Sequence, residues 1–261
     1  MTAYGTSLAI FIRMHTGPAD IKKAYQSDRV AREYVARRFQ TPLGALLHRR
    51  QVRAVQRLIR EEAIEHAAEI APGPARVTVE VAPLLKSVTL IDASAEMLAE
   101  ARLRLAGHGG AAHARFVQAD AFRLPIGGRF NLVYSFRLIR HFERADRLRL
   151  YGEIARVIAP RGWLVFDAVN RSISAPLRAR AAPGEYEHFD ALLQPDELRD
   201  ELGECGFEIA SLVGVERRYP ALLMCQVYVA PRSAALARAA MEVIDRLGGS
   251  PLEWIVICRR A

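Results

Sequence analysis

Lysine is nearly missing from this 261-residue chain: Lys22, Lys23 and Lys86 are the only three, and arginine supplies the rest of the 37 basic side chains. Such a bias follows coding composition more readily than a binding function. Cysteine is equally scarce. Cys205, Cys225 and Cys258 are odd in number and widely spaced, which excludes a disulfide framework and a CxxC metal knuckle and fits a reducing compartment. Buried thiols, and no metal, are the expectation. No apolar run approaches the roughly 20 residues that a membrane-spanning helix needs. The opening MTAYGTSLAIFIRM has only a brief apolar patch, with no basic region before it and no clear cleavage site after it. It does not read as a signal peptide, and a cytoplasmic location is expected. Repeats and low-complexity linkers are also absent.

What is there is the composition of a globular chain, 51% hydrophobic and 25% charged. A chain of this size forms its core without disulfide or metal staples. The net charge of +8 is unevenly placed. Residues 1–60 carry 12 Lys+Arg against Asp20, Asp28 and Glu33, a net of +9, and the remaining 201 residues come to −1. From about Asp20 to Glu62 the spacing is helical, broken at Thr41-Pro42. In LLHRRQVRAVQRLIREE, Val52, Val55 and Ile59 form an apolar stripe, with Arg49, Arg53, Arg57 and Arg60 on the other side.

Beyond this segment the pattern alternates. Strands are expected at 66–71, 87–92, 114–120, 130–136 and 162–169, separated by helices at 94–105 and 145–158. Such alternation indicates a parallel sheet covered on both faces. A helix ending at Gly206, strands in FEIASLVGV and EWIVICR, and a helical SAALARAAMEVIDRL complete the chain. Segment 76–86 fits both strand and helix spacing, and the need for a crossover favours helix.

The stretch EIAPGPARVT, residues 69–78, joins the first strand to that crossover. Pro72 pushes Ala71 towards extended geometry, Gly73 can take angles closed to other residues, and Pro74 suits the first position of a helix. The N–H groups of Ala75, Arg76 and Val77 would then face outward, towards an anion. Alone, this reads as an ordinary turn. Two further acids change that reading. Asp92 closes the next strand, 23 residues beyond Glu69, where an acid meets ribose hydroxyls, and Asp120 closes the strand after it.

These features resemble the class I S-adenosylmethionine-dependent methyltransferases. The family's acid-x-Gly-x-Gly-x-Gly loop stands here as Glu69, Ala71, Gly73 and Ala75. LIDASAEMLAEAR is similar to the second motif, and implies Asp92 at the ribose with Ala93 and Met97 beside the adenine. FVQADAFRLP is similar to the third, with Asp120 at the adenine amino group and Ala121 and Phe122 at its edge. FNLVYSFRLIRHF resembles the fourth, which adds Ser135. YQSDRVAREYVARRF resembles the leading helix that caps the cofactor, so Tyr25 and Tyr34 join the set. Two of the three loop glycines are alanine, adding only a methyl each, while Pro72 and Pro74 each remove an N–H donor.

The resemblance implies an α/β, Rossmann-like, doubly wound, seven-stranded and mostly parallel sheet with its last strand antiparallel. An N-terminal helical cap (1–62) would precede a methyltransferase domain (63–261) carrying a lid insertion near 170–194. The implied cofactor is S-adenosyl-L-methionine and the implied partner a small-molecule acceptor. His141 is the candidate general base. Arg137 and Arg140 are candidates to hold an acidic substrate, and Tyr186, His188 and Phe189, in the long connection after the fifth strand, to contact it, with Tyr219 beside them. Two other classes remain open: an RNA methyltransferase using the Arg-rich N-terminal helices, and a non-catalytic partner protein that kept the fold. No Asn-Pro-Pro-aromatic motif links the chain to enzymes that methylate exocyclic amines of nucleic acid. The oligomeric state is left open.

Overall fold

The computed structural model describes residues 39–126, 130–182 and 189–261. Helix α1 (Pro42–Glu61) starts where Thr41 accepts the Gly44 N–H at 3.1 Å and Pro42 fills a position needing no donor. Its buried stripe of Leu47, Val52, Val55, Leu58 and Ile59 lies on one face of the sheet. Strand β1 (His66–Ile70) is buried from Ala67 to Ile70, as a strand covered on both faces must be.

Next come α2 (Thr78–Val81), β2 (Ser87–Asp92), α3 (Ala95–Gly107), β3 (Ala114–Gln118), β4 (Phe130–Ser135), α4 (Arg144–Val157) and β5 (Ile158–Asn170). The second half holds α5 (Arg171–Arg178), β6 (Leu192–Leu193), α6 (Pro195–Glu204), β7 (Phe207–Arg217), α7 (Tyr219–Met224), α8 (Ala234–Arg246) and β8 (Pro251–Arg260). Strand order is β3-β2-β1-β4-β5-β8-β7, with β6 paired to the end of β5. All pairings are parallel except those of β8, which runs antiparallel to β5 and β7.

The expected doubly wound sheet with an antiparallel last strand is thus present, with eight strands instead of seven. The addition, β6, is two residues long and too short to leave a periodic signal. Segment 76–86 forms α2 and a 3-10 turn over Ala82–Leu84, with Pro83 in the turn's first positions. Helices α5 and α7 were not anticipated. Helix α5 is capped by Asn170, whose side chain accepts the Ser172 N–H at 3.0 Å, and it lies inside the long connection after β5.

Helices α1, α2 and α3 pack with Val88, Leu90, Leu132 and Tyr134 on one face; α4 and α6 pack with Val133, Leu164 and Phe166 on the other. Neighbouring strands β1 and β4 carry the chain in opposite directions across the sheet. At such a reversal the strand ends cannot be covered by a crossover helix, and a crevice opens outside their carboxyl ends.

Candidate active site

The loop after β1 is shaped by three left-handed residues: φ is +51° at Ala71, +53° at Gly73 and +56° at Ala75. The expectation that alanine adds only a methyl leaves out the conformational cost. A left-handed alanine is disfavoured by roughly 1–2 kcal/mol. Glycine removes that cost, less the extra freedom it gives the unfolded chain. Ala71→Gly should therefore raise the unfolding free energy by about 1 kcal/mol in a urea titration. Ala75→Gly should be close to neutral, because Ala75 is fully buried and deleting its methyl forfeits about 0.8 kcal/mol.

The loop does not present a helix N-terminus, contrary to the expectation. Helix α2 begins at Thr78 and has four residues, the Ala75 N–H is bonded to the Pro72 carbonyl at 3.0 Å, and Ala75 and Val77 are fully buried. Arg76 is buried too, its guanidinium 3.9 Å above the Phe39 ring and donating to Gln51 Oε1 at 2.5 Å. Two loop amides meet the end of β2: Ala71 N–H donates to the Ile91 carbonyl at 2.8 Å and Gly73 N–H to Asp92 Oδ2 at 3.1 Å.

Six of the residues expected at the cofactor meet around one crevice: Ala71, Asp92, Ala93, Asp120, Ala121 and Phe122. The crevice is open on one side to solvent. Asp92 also accepts the Ser94 N–H at 2.9 Å, and Asp120 accepts the Phe122 N–H at 3.0 Å. Burial pushes the Asp92 carboxyl up to about 6, against the opposing pull of the Ser94, Gly73 and Ala93 amides. Leu138 and Phe142 complete the apolar wall, and Phe142 meets Phe122 edge-on at 5.0 Å between ring centroids. Neither was foreseen, although both flank the already conspicuous His141.

Other expected cofactor residues lie elsewhere. Glu69 turns to the α2 side of the sheet, where the Thr78 hydroxyl donates to it, and burial pushes its carboxyl up to about 7. Tyr134 reaches the same Thr78 hydroxyl at 2.9 Å. Ser135 is fully buried and donates to the Ile70 carbonyl at 2.7 Å, tying β4 to β1. Met97 is buried at the start of α3, with its sulfur beneath Gly73: a Cβ built there would stand 3.9 Å from it. Tyr25 and Tyr34, as well as Tyr186 and His188, lie outside the described residues.

On the acceptor side, Arg140 is a buried hub rather than a surface arginine reaching for an acid. Its Nη1 donates to Asp167 Oδ2 at 3.1 Å and Glu253 Oε1 at 2.7 Å, and its Nε to Asp190 Oδ1 at 2.9 Å. Only 4% of its side chain is exposed. The sequence signal for the hub is a lone acid, Asp167, inside the apolar strand WLVFDAV. Arg137 has a left-handed backbone (φ +64°), and its N–H donates to Asp167 Oδ1 at 2.5 Å. His141 Nδ1 donates to the Phe189 carbonyl at 2.9 Å, fixing the tautomer with the lone pair on Nε2. Burial drives the His141 ring down to about 4, despite Asp190 at 3.3 Å. Phe189 itself is 37% exposed. Among the described residues no group of three His, Cys, Asp or Glu side chains could hold a metal. Nor is any helix among them long and apolar enough to cross a membrane.

Residues 67–162 match the family described as a methyltransferase domain. A ubiquinone biosynthesis O-methyltransferase of Thiobacillus denitrificans is 26% identical over 137 residues, 49% of this chain and 58% of that one. A second, from Sinorhizobium medicae, is 27% identical over 132 residues, 48% and 52% of the two chains. The chain thus spans about half the length of the curated relatives it matches. Among solved structures, magnesium protoporphyrin IX methyltransferase of Synechocystis, with bound S-adenosylhomocysteine, superposes with a TM-score of 0.68. It is 14% identical, over 94% of this chain and 100% of that one. The mitomycin 7-O-methyltransferase superposes with a TM-score of 0.61 at 16% identity, over 92% and 60% of the two chains. The segment that matches the methyltransferase-domain family, residues 67–162, holds every residue that lines the crevice at the reversal of the strand order.

Proposed function

We propose that the chain transfers a methyl group from S-adenosyl-L-methionine to an oxygen atom of a small-molecule acceptor. One observation carries this reading: carboxylates at the ends of adjacent strands, Asp92 and Asp120, share a crevice with the apolar side chains of Phe122, Leu138 and Phe142. That donor set fits the group, since ribose offers hydroxyls and adenine an amino group and an apolar face. Asp92 is the ribose ligand in this reading and Asp120 the adenine ligand, with Ala93 and Ala121 leaving room for the base.

When bound, the cofactor supplies a methyl group on a positively charged sulfur. The protein's part is to exclude water and aim the acceptor oxygen. His141 takes the acceptor's proton on Nε2, and its depressed pKa keeps that nitrogen unprotonated across the neutral range. Arg137, next in sequence to Leu138 of the crevice wall, is the candidate to orient an anionic acceptor. The long connection after β5, with Phe189, supplies the acceptor's cover. The names of the curated relatives support oxygen as the acceptor atom.

Thermal unfolding with and without S-adenosylmethionine and S-adenosylhomocysteine tests the reading. At 100 times its dissociation constant either ligand adds about 2.7 kcal/mol, a rise of about 5–10 °C for a chain of this size. Asp92→Ala should abolish the rise while leaving the unliganded protein folded. Absence of any shift at millimolar ligand would overturn the proposal.

A further inference from the structure

The chain between β7 and β8 makes a helical excursion: α7, a π-turn over Cys225–Val229, then α8. Its inner side is satisfied. Leu222, Ala237 and Met241 are fully buried, and Leu222 and Met241 pack against Leu46 of α1, with Cys225 and Ile244 beside them. The outer side is apolar as well. Leu223, Met224, Val227, Tyr228, Leu236, Val243 and Leu247 are 41–63% exposed, seven of the nine exposed large hydrophobic side chains among the described residues.

Their spacing is regular. On α8 and its end, Leu236, Ala240, Val243 and Leu247 follow at intervals of four, three and four, one continuous helical stripe. On the preceding helix Leu223 and Met224 are repeated four residues later by Val227 and Tyr228. A helix that buries one apolar face and exposes a second has a surface awaiting a partner.

Charge identifies that partner. Between residues 218 and 250 the exposed charged side chains are Arg218, Arg232, Arg238 and Arg246, all positive. The segment's two carboxylates point inward: Glu242 meets Arg49 at 2.9 Å and Arg50 at 3.0 Å, and Asp245 meets Arg50 at 2.9 Å. The rest of the chain beyond residue 60 is close to neutral, so this sorting is local. A second copy would bring arginine against arginine, and a nucleic acid would leave the aliphatic stripe in water.

We propose that this hairpin seats the protein on an anionic lipid surface, its aliphatic side chains entering the headgroup boundary and its arginines meeting lipid phosphates. The enzyme then meets its acceptor from the membrane face.

Co-sedimentation of the full chain with vesicles tests this without reference to methyl transfer. Vesicles of phosphatidylcholine with about 30 mol% phosphatidylglycerol should bind at least tenfold more protein than phosphatidylcholine alone, and added salt should reduce the binding. Leu236→Ser, Val243→Ser and Leu247→Ser combined should weaken binding about tenfold or more, as should Arg232→Glu with Arg238→Glu. These positions are solvent-exposed, so the melting temperature reports whether either variant still folds. No binding to the anionic vesicles at low salt, equal binding to both vesicle types, or undiminished binding by both folded variants would each overturn the proposal. So would a dimer in light scattering that the triple-serine variant converts to monomer, because the face would then belong to a second copy.

Discussion

Replacing Arg140 with alanine should lower the unfolding free energy by about 3–5 kcal/mol, the usual cost of leaving buried charges without their partner. The guanidinium gathers Asp167 from β5, Glu253 from β8 and Asp190 from the connection ahead of β6. Burial works against its charge. Glu253, Asp190 and Asp167 outweigh that penalty and hold the arginine charged well above its ordinary range. Asp190, also gripped by Arg178 at 2.5 Å, is held well below the usual carboxylate range by Arg140, His141, Arg137 and Arg178 in spite of its burial. Alanine takes a charged partner from three buried carboxylates at once, leaving Asp190 to Arg178 and Asp167 to the Arg137 N–H. The fall in melting temperature should be about 6–15 °C. Arg140→Lys should recover only part of it, because one ammonium cannot serve three acceptors from a planar fork. A loss below 1 kcal/mol for the alanine variant would show that the hub is not holding these strands together.

Stability should also fall as pH rises from about 5 to about 8, by a few kcal/mol in total. Burial pushes Glu69 up to about 7 and Asp92 up to about 6. Burial, then the charge of Glu253, pushes Glu216 up to about 8. Each of these carboxyls keeps its proton in the folded chain at a pH where the unfolded chain has released it. Between the unfolded and folded values the native state binds more protons, so raising the pH favours unfolding. Asp190 acts in the opposite sense. Its depressed pKa contributes stability above its unfolded value, lost progressively in more acidic solution.

The two trends together place the maximum on the acid side of pH 5, near about pH 4. Glu216→Gln should flatten the alkaline limb and raise stability at pH 8 by about 2–4 kcal/mol, with less than about 1 kcal/mol of change at pH 5. Urea titrations of both proteins across this range measure the effect directly. A wild-type profile that stays level from pH 5 to 8 would contradict it.

How much of this was legible beforehand depended on whether a feature is local. The alternation of short apolar strands with amphipathic helices determined the doubly wound sheet. A buried parallel strand must be apolar on both faces and must return through a crossover. The antiparallel last strand was also legible, as part of what the family resemblance implied. Asp92 and Asp120 could be read as a pair at the crevice because each closes a strand, and parallel strands align their ends.

Other features needed the fold. Glu69 also lies near the end of a strand, yet α2 covers it there and the Thr78 hydroxyl takes up its carboxylate. In APGPA only Gly73 announced a left-handed residue; Ala71, expected to be extended before Pro72, and Ala75 take that conformation as the chain closes β1 onto α2 within a few residues. Arg140 looked like a surface arginine until Glu253, 113 residues later, arrived beside it. SAALARAAMEVIDRL is apolar on two sides, and sequence alone cannot say which side α1 covers. The sequence by itself determined which segments are buried and where the strands end, since burial and periodicity are properties of short windows. Only the tertiary structure decided which charges meet, which face stays open and which alanines are strained, since these depend on partners brought together from distant parts of the chain.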